Sequence, residues 1–229
     1  MIDARGIKRI FVNGDVTNEV LKGIDVRIGD GEFLAIMGRS GAGKSTLLYQ
    51  LSLLDEPSAG TVAIDGLDVS TLTTNEKTLY RLEHMGFVFQ DYALIPELTA
   101  IENVMLPLLM RNVSFAEASK KSLAILEVLE LGHRANGLPS ELSGGEQQRV
   151  SIARAMVHEP KVLFADEPTA NLDLQAAKDV IGILRKLSKE RKQTIVMVTH
   201  EEEYGRQADR IVHLNDGLVD SITDLKHKK

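Results

Sequence analysis

The alternation of apolar and polar residues predicts a sheet in the first third of the chain. Residues 24–28 alternate apolar and polar side chains, which is typical of a strand with one buried face. Residues 33–37 are continuously apolar, as in a strand covered on both faces, and a glycine-rich turn then leads into a helix over 45–54. Another strand follows at 61–65. This order of elements predicts an α/β fold with a mixed sheet.

The middle of the chain, residues 91–160, changes to a helical pattern. Ser114 and Glu117 form a capping box, in which a serine and a glutamate three residues apart satisfy free amides at a helix start. An apolar stripe at helical spacing follows and is predicted to end at Gly132. The stripe consists of Ala118, Leu123, Leu126 and Leu129. We therefore predict an inserted helical unit.

The α/β pattern returns in the last third. An apolar strand at 162–165 precedes a helix over 175–191 and another strand at 194–199. Residues 210–222 have the pattern of a hairpin around an Asp-Gly turn, and a polar tail follows. The helix is expected to bury the face made of Ala177, Val180, Ile181, Leu184 and Leu187.

These changes of pattern predict one domain over residues 1–229, built as an α/β core and an insert. The core is expected to cover 1–90 and 161–229, and the helical subdomain to cover 91–160. No internal repeat, low-complexity tract or long linker divides the sequence.

Composition and charge exclude several classes of protein. Lysine and arginine number 27 and aspartate and glutamate 33, so the net charge of −6 offers no basic field for nucleic acid. The absence of cysteine excludes a disulfide framework and a thiolate metal site. The longest stretch without a charged residue, 45–54, is far shorter than the roughly 20 residues of a bilayer span. Because charges at Asp3 and Arg5 stand where a signal peptide is apolar, we expect a cytoplasmic protein.

The segment from Gly38 to Ser45 carries the strongest chemical signal. It fits the pattern G-x-x-x-x-G-K-[ST] and lies between a buried strand and a helix, as a phosphate-binding loop requires. Glycines let backbone amides point at phosphate oxygens, Lys44 reaches the outer phosphates, and the Ser45 hydroxyl ligates Mg²⁺. The alternative is a glycine-rich turn with an exposed lysine, which the flanking strand and helix disfavour. The predicted ligand is a nucleoside triphosphate with Mg²⁺.

Two adjacent carboxylates, Asp166 and Glu167, follow the apolar strand at 162–165. They lie where α/β sheets bind ligands, at the carboxyl end of a strand. Side chains alternate along a strand, so the two need not share a role. We expect Asp166 to hold Mg²⁺ through a bound water, and Glu167 to polarise the attacking water. Taken alone, the pair is equally consistent with an acidic turn.

Ser143 and Glu146 form a second capping box, at the start of a helix. The box does not account for Gly144 and Gly145, which cost helix stability unless a group approaches the backbone closely. A second phosphate site on this helix N-terminus accounts for both glycines.

Taken together and in this order, the three motifs resemble Walker A, the signature and Walker B of ATP-binding cassette (ABC) ATPases. Gln90 resembles the Q-loop glutamine of that family, 171–173 its D-loop, and His200 its switch histidine. Alone, a histidine after a strand is more often a surface or capping residue. The resemblance covers nearly the whole chain and implies a P-loop NTPase core with an N-terminal antiparallel β part and an inserted α-helical subdomain.

The resemblance also implies the residues of an ATP site shared by two copies of the chain. In such a head-to-tail dimer, the signature of one subunit covers ATP on the P-loop of the other, and Asp173 communicates across the interface. Gln90 reaches Mg²⁺ or water, or rotates the insert with nucleotide state. Phe11 stands where the family places a tyrosine that stacks on adenine, with a core phenylalanine as the alternative. Expected ATP contacts are Phe11, Gly38, Arg39, Ser40, Gly41, Ala42, Gly43, Lys44, Ser45 and Thr46; signature contacts are Ser143, Gly144, Gly145 and Glu146; catalytic groups are Glu167, His200, Gln90 and Lys44; metal contacts are Ser45, Gln90 and Asp166.

A finer resemblance, carried by 90–108 and 165–173, is to the ATPase subunits of macrolide-efflux and lipoprotein-releasing exporters. Arg39 and Ala170 depart from the small residue or proline and the glycine common in that group. The implied function is an ATPase at the inner face of the membrane that drives a separate permease, docked on apolar residues of 92–98 and 104–110. The alternatives are a soluble mechanical ABC ATPase and a P-loop kinase.

Overall fold

The strands of the protein form two sheets joined by helices. The computed structural model describes residues 1–14 and 16–225, and the last four positions of the predicted polar tail lie outside them. The strands are β1 (Ile2–Asn13), β2 (Val16–Ile28), β3 (Phe33–Gly38), β4 (Ala59–Ile64), β5 (Leu67–Asp68), β6 (Met85–Val88), β7 (Val162–Asp166), β8 (Thr194–Val198), β9 (Arg210–Asn215) and β10 (Leu218–Asp224). The helices are α1 (Lys44–Leu51), α2 (Thr74–His84), α3 (Ala100–Met110), α4 (Phe115–Val128), α5 (Gly144–Met156), α6 (Leu174–Arg191) and α7 (Glu202–Gly205).

The first sheet is antiparallel, with the strand order β2-β1-β4-β5. β1 and β2 form a long hairpin in which Ile2 pairs with Ile28 and Asn13 with Val16. Ile2 also pairs with Ile64 of β4, so the start of β1 lies between two partners. The apolar residues on one face of this sheet are buried, because they pack on the strands and the helix that carry the P-loop.

The second sheet has the order β10-β9-β3-β8-β7-β6, and the strands from β9 to β6 are parallel. β7 and β8 are buried along their whole length, as their continuous apolar sequence predicts. Val198 of β8 aligns with Ile36 of β3 on one side and Asp166 of β7 on the other. The segments that follow these three strands therefore emerge at one edge of the sheet.

The helices α3, α4 and α5 lie between β6 and β7 in the sequence, and they pack against one another. Most of the predicted α4 stripe is buried, but Leu123 is 38% exposed. α4 also ends at Val128, and Gly132 begins a short 3₁₀ turn instead of ending the helix. The prediction for Leu123 is wrong because Ser122, a polar residue, occupies the buried face assigned to leucine. The predicted helix end is wrong as well, since α4 stops at Val128. The predicted buried face of α6 is confirmed.

α2 was not predicted from the apolar pattern. None of its residues is buried, so it offers no apolar stripe to detect. A capping box of Thr73 and Glu76 starts the helix. Within residues 1–14 and 16–225, none of the helices has the length and apolar character that a bilayer span requires.

Candidate nucleotide site

The loop between β3 and α1 takes a path that depends on its glycines. Gly38 has a φ of 153°, and a side chain there would come within 2.3 Å of the carbonyl oxygen of Leu214. Gly43, which precedes α1, has a φ of 94°, and a Cβ would lie 2.8 Å from Leu21. A side chain is excluded at Gly38 by the backbone and is strained at Gly43 by the positive φ, so the loop passes close to neighbouring strands. Its last residues begin α1, and the free amides at a helix start favour an anion.

Lys44 lies inside this loop rather than extending into solvent. Its ammonium group donates a hydrogen bond to the carbonyl oxygen of Arg39 at 3.2 Å and lies 3.9 Å from the carboxylate of Glu167. The residue is 9% exposed. The alternative of a surface turn with an exposed lysine is therefore wrong, and a buried cation stands beside the backbone amides of the loop.

Asp166 at the end of β7 is held by two hydroxyl groups from α1. Ser45 donates to one carboxylate oxygen at 2.8 Å, and Tyr49 donates to the other at 2.9 Å. Burial raises the pKa of Asp166, although both hydrogen bonds oppose that shift. Burial, together with Asp166, raises the pKa of Tyr49 to about 12. A serine hydroxyl and a carboxylate are hard oxygen donors, so this pair suits Mg²⁺.

Glu167 and His200 form a direct contact at the same edge of the sheet. The Nδ1 atom of His200 lies 2.9 Å from a carboxylate oxygen of Glu167. The backbone of Glu167 has a φ of 45°, a region that residues with side chains rarely adopt, and its N–H donates to the carbonyl oxygen of Val198 at 3.1 Å. The side chain of Glu167 is 13% exposed, whereas that of His200 is 60% exposed. Glu167 is thus held close to Lys44 and Asp166.

Gln90 lies on the surface just after β6, beside the segment that precedes α6. Its carbonyl oxygen accepts a hydrogen bond from the side-chain amide of Asn171 at 3.0 Å. Tyr92 donates to the carbonyl oxygen of Asn171 at 3.2 Å. Asp173, two residues on, caps α6 by accepting from two backbone amides at 2.9 Å. The segments predicted to be the Q-loop and the D-loop are therefore joined within one chain.

The helix start at Ser143 carries the segment predicted to be the signature. Ser143 and Glu146 form the predicted capping box, and Glu146 also pairs with Arg134 at 2.9 Å. A cavity of about 310 Å³ opens beside this helix start. Its lining includes Ser143, Gly144, Gly145, Asn171 and Asp173, but no residue of the P-loop.

The two signature glycines have a packing reason that the sequence did not reveal. A Cβ on Gly145 would lie 2.9 Å from the Cβ of Ala176, in the first turn of α6. A Cβ on Gly144 would lie 2.9 Å from the hydroxyl of Tyr92. Close packing within the chain therefore gives a second reason for both glycines, beside the predicted phosphate contact.

Phe11 is not a core residue. It lies near the end of β1, its side chain is 43% exposed, and the guanidinium of Arg9 stands 4.5 Å from the ring centre. The alternative of a buried core phenylalanine is wrong, and the ring presents an accessible face. Among the other predicted contacts, Arg39, Ser40 and Gly41 are exposed, Thr46 is half-buried, and Ala42 is buried.

Two further residues at the site escaped the sequence analysis. Tyr49 contacts Asp166 as described above. Arg154 in α5 donates to the carbonyl oxygens of Tyr92 and Ala93, at 2.8 and 2.5 Å, and burial lowers the pKa of Arg154. Tyr92 and Ala93 both have positive φ angles, so Arg154 fixes a strained turn just after Gln90. No spacing pattern indicates either contact.

The segments predicted to receive a permease are partly buried. Ile95 is 40% exposed, whereas Leu94 packs against the core. In α3, Val104, Met105 and Leu108 are buried, and of the apolar residues in 104–110 only Leu109 and Met110 are exposed.

Comparisons with known proteins agree with this geometry. A sequence profile of the family described as ABC transporter matches residues 21–170. The lipoprotein-releasing system ATP-binding protein LolD of Bacteroides thetaiotaomicron is 46% identical over 219 residues, which are 96% of this chain and 99% of LolD. The macrolide export ATP-binding/permease protein MacB of Bdellovibrio bacteriovorus is 45% identical over 221 residues, 96% of this chain and 34% of that protein. The chain spans about a third of the length of its MacB relatives.

A solved structure gives the same result for the fold. The ATP-binding cassette MJ0796, in a dimeric post-hydrolysis state bound to ADP and Pi, is 40% identical with a TM-score of 0.92. The match covers 98% of this chain and 99% of that chain. The predicted fold, the predicted family and the resemblance to the macrolide and lipoprotein group are confirmed. The chain belongs to the ABC transporter family and has the fold of its ATP-binding cassettes.

Proposed function

We propose that this chain hydrolyses MgATP in a head-to-tail dimer and thereby drives a separate membrane permease of the exporter type. The observation that carries the proposal is the separation of the two phosphate-binding segments. Lys44 and Glu167 lie together at the sheet edge, whereas Ser143 lines a cavity that contains no P-loop residue. One chain alone leaves the signature without a nucleotide, and a second copy supplies it.

In this proposal each residue of the cluster has a defined task. The loop amides and Lys44 bind the β- and γ-phosphates and offset the charge that develops during transfer. Glu167 accepts a proton from the attacking water, and its contact with His200 fixes the direction of its carboxylate. His200 also contacts the γ-phosphate. Phe11 stacks on the adenine ring.

Ser45 and Asp166 are the proposed holders of Mg²⁺, Asp166 through water, with Gln90 as a further contact. Mg²⁺ neutralises phosphate charge when bound. In the part of the chain that the structure describes, no cluster of three or more His, Cys, Asp or Glu side chains is arranged to hold a metal. This fits an ion that draws most of its ligands from the nucleotide and water.

The permease and the location of the chain belong to the same proposal. The relatives include a protein named as ATP-binding/permease and one named as the ATP-binding protein of a lipoprotein-releasing system. The chain would sit at the cytoplasmic face of the membrane, with exposed apolar residues of 92–98 against the permease. The insert at 91–160 would then move relative to the core at 1–90 and 161–229 as Gln90 responds to nucleotide.

Mixed dimers test the shared site directly. One subunit carries Ser143→Arg and the other Lys44→Ala, both in a Glu167→Gln background that prevents turnover. In a head-to-tail dimer both defects fall on one site, so the other site is intact and should retain ATP. We expect about one trapped nucleotide per mixed dimer, which the geometry of P-loop and signature in opposite subunits requires.

Nucleotide occupancy after rapid desalting is the measurement, and each variant alone is the control. Each parent protein has a defect in both of its sites and should retain little ATP. If the mixture retains no more ATP than the parents, Ser143 does not contact nucleotide held by the partner, and the dimer proposal fails.

A further inference from the structure

Tyr49 is placed against the same carboxylate as Ser45, but from one helical turn further along α1. The two residues are four apart, so their side chains share one face of the helix. Ser45 donates to one oxygen of Asp166 at 2.8 Å and Tyr49 to the other at 2.9 Å. Each oxygen of the carboxylate therefore accepts one hydrogen bond from a hydroxyl group, and the two hydrogen bonds together fix the orientation of the carboxylate.

The aromatic ring that carries the Tyr49 hydroxyl is itself fixed by neighbouring strands. Its centre lies 6.0 Å from that of Phe87 in β6. Phe87 stacks on Phe164 in β7 at 6.3 Å, and it contacts Phe89 at 4.3 Å. Phe164 is fully buried and lies two residues before Asp166. The strand that carries the carboxylate and the ring that holds it are thus parts of one packed cluster.

We propose that Tyr49 is a positioning residue for Mg²⁺, which fixes the carboxylate plane of Asp166. The proposal rests on the proposed function, in which Ser45 and Asp166 hold the ion. A carboxylate oxygen can accept more than one hydrogen bond or contact, so the donation from Tyr49 leaves Asp166 free to face a metal-bound water. Ser45 is needed by the metal itself, whereas Tyr49 serves only to orient the carboxylate. Groups that orient ligands in this way change metal affinity about tenfold to a hundredfold when removed.

The decisive variant is Tyr49→Phe, which removes the hydroxyl but keeps the ring that packs on Phe87. Binding of a fluorescent ATP analogue is titrated in EDTA and in excess Mg²⁺, in the Glu167→Gln background. The ratio of the two affinities is the gain that Mg²⁺ provides. We expect this gain to fall about tenfold or more in Tyr49→Phe, while affinity in EDTA changes less than about twofold.

Tyr80→Phe is the matched control, because Tyr80 also packs on an aromatic neighbour, His84, but stands away from Asp166. Ser45→Ala is the reference for complete loss of the Mg²⁺ gain. If Ser45→Ala loses the gain and Tyr49→Phe keeps it, the role of Tyr49 is wrong and the metal pair stands. If affinity falls equally in EDTA and Mg²⁺, Tyr49 supports the loop instead of the ion, which also overturns the proposal. If Ser45→Ala keeps the full gain, the proposed metal pair itself is wrong.

Discussion

Two regions of the molecule differ in how many of their contacts come from the same chain. One is the P-loop cluster of Lys44, Asp166 and Glu167, and the other is the signature helix start at Ser143. At the P-loop, Lys44, Asp166 and Glu167 are largely buried, and their contacts join the start of α1, the end of β7 and the segment after β8. At the signature, Ser143 is exposed and its hydroxyl serves the capping box of its own helix. The contacts of the first site all come from one chain, whereas the second has an exposed residue and a cavity beside it.

The difference follows from the elements that carry each site. Parallel strands end together at one edge of the sheet, so the residues after β3, β7 and β8 lie close together without help from other elements. A helix N-terminus has free amides, but it gathers no other side chains unless another element packs there. Here that element is α6, which approaches Gly145 closely and fixes the direction of the helix start.

The largest effect is expected at the P-loop cluster, for the substitution Glu167→Gln. Loss of the proposed base should reduce kcat about 10²- to 10⁴-fold. ATP binding should persist, because Lys44 and the loop remain, and the variant should accumulate as an ATP-bound dimer. ATPase assays and size-exclusion chromatography with and without MgATP provide the measurement.

Lys44→Ala is the control for this first prediction. It should lose tight ATP binding and fail to dimerise with MgATP, because it removes the buried cation at the phosphates. Turnover by Glu167→Gln at the wild-type rate would show that the carboxylate is not the base and that the cluster is organised for another purpose.

The next largest effect concerns the signature side, where Gly145→Ala tests packing against phosphate binding. The added methyl would lie 2.9 Å from the Cβ of Ala176, so one helix start must shift. Overpacking of this kind costs about 1–3 kcal/mol, and each kcal/mol lowers the melting temperature by about 2–4 °C in a protein of this size. Monomer affinity for ATP at the P-loop should not change.

Gly182→Ala is the matched control, since Gly182 lies inside α6 with open space where a Cβ would be. That change should stabilise the helix by about 0.5–1 kcal/mol. An unchanged melting temperature in Gly145→Ala, combined with loss of the ATP-bound dimer, would contradict the packing explanation and leave phosphate contact as the reason for the glycine.

The two regions also show which features could be predicted from the sequence and which could not. The P-loop, the acidic pair and the buried face of α6 follow from motifs or from periodicity, because each is a local pattern in the chain. The contact of Tyr49 with Asp166 joins residues 117 positions apart, so no local pattern contains it. The packing of Gly145 on Ala176 likewise depends on how two helices meet. α2 was missed because its residues are all at least partly exposed.

A moderate effect is expected for Phe11→Ala, which tests whether the P-loop site extends to β1. Stacking on adenine is worth about 0.5–1.5 kcal/mol and acts on ground and transition states alike, so KM should rise about two- to tenfold with little change in kcat. The melting temperature should change little, since the ring is 43% exposed.

Val12→Ala is the control for Phe11, because Val12 is the next residue of β1 and is 72% exposed. It should leave both KM and the melting temperature unchanged. A fall of many degrees in the melting temperature of Phe11→Ala, with unaltered nucleotide affinity, would mean that the ring stabilises the hairpin and takes no part in binding.

The smallest effect is expected for Arg134→Gln, which removes the ion pair that steadies Glu146 at the signature. Arg134, followed by the Ser143 backbone amide, holds the pKa of Glu146 at about 2, below the ordinary 4.5. A carboxylate with a lowered pKa stabilises the fold at any pH above its ordinary pKa. That stabilisation is lost as the pH falls through 4.5 towards 2. Because Arg134 is 43% exposed, the loss at neutral pH should be at most about 1 kcal/mol. Urea midpoints of wild type and variant should therefore differ slightly at about pH 7 and converge only as the pH falls to about 2. A difference that stays constant across this range would show that Arg134 acts through packing, and the signature helix start would then owe nothing to this charge pair.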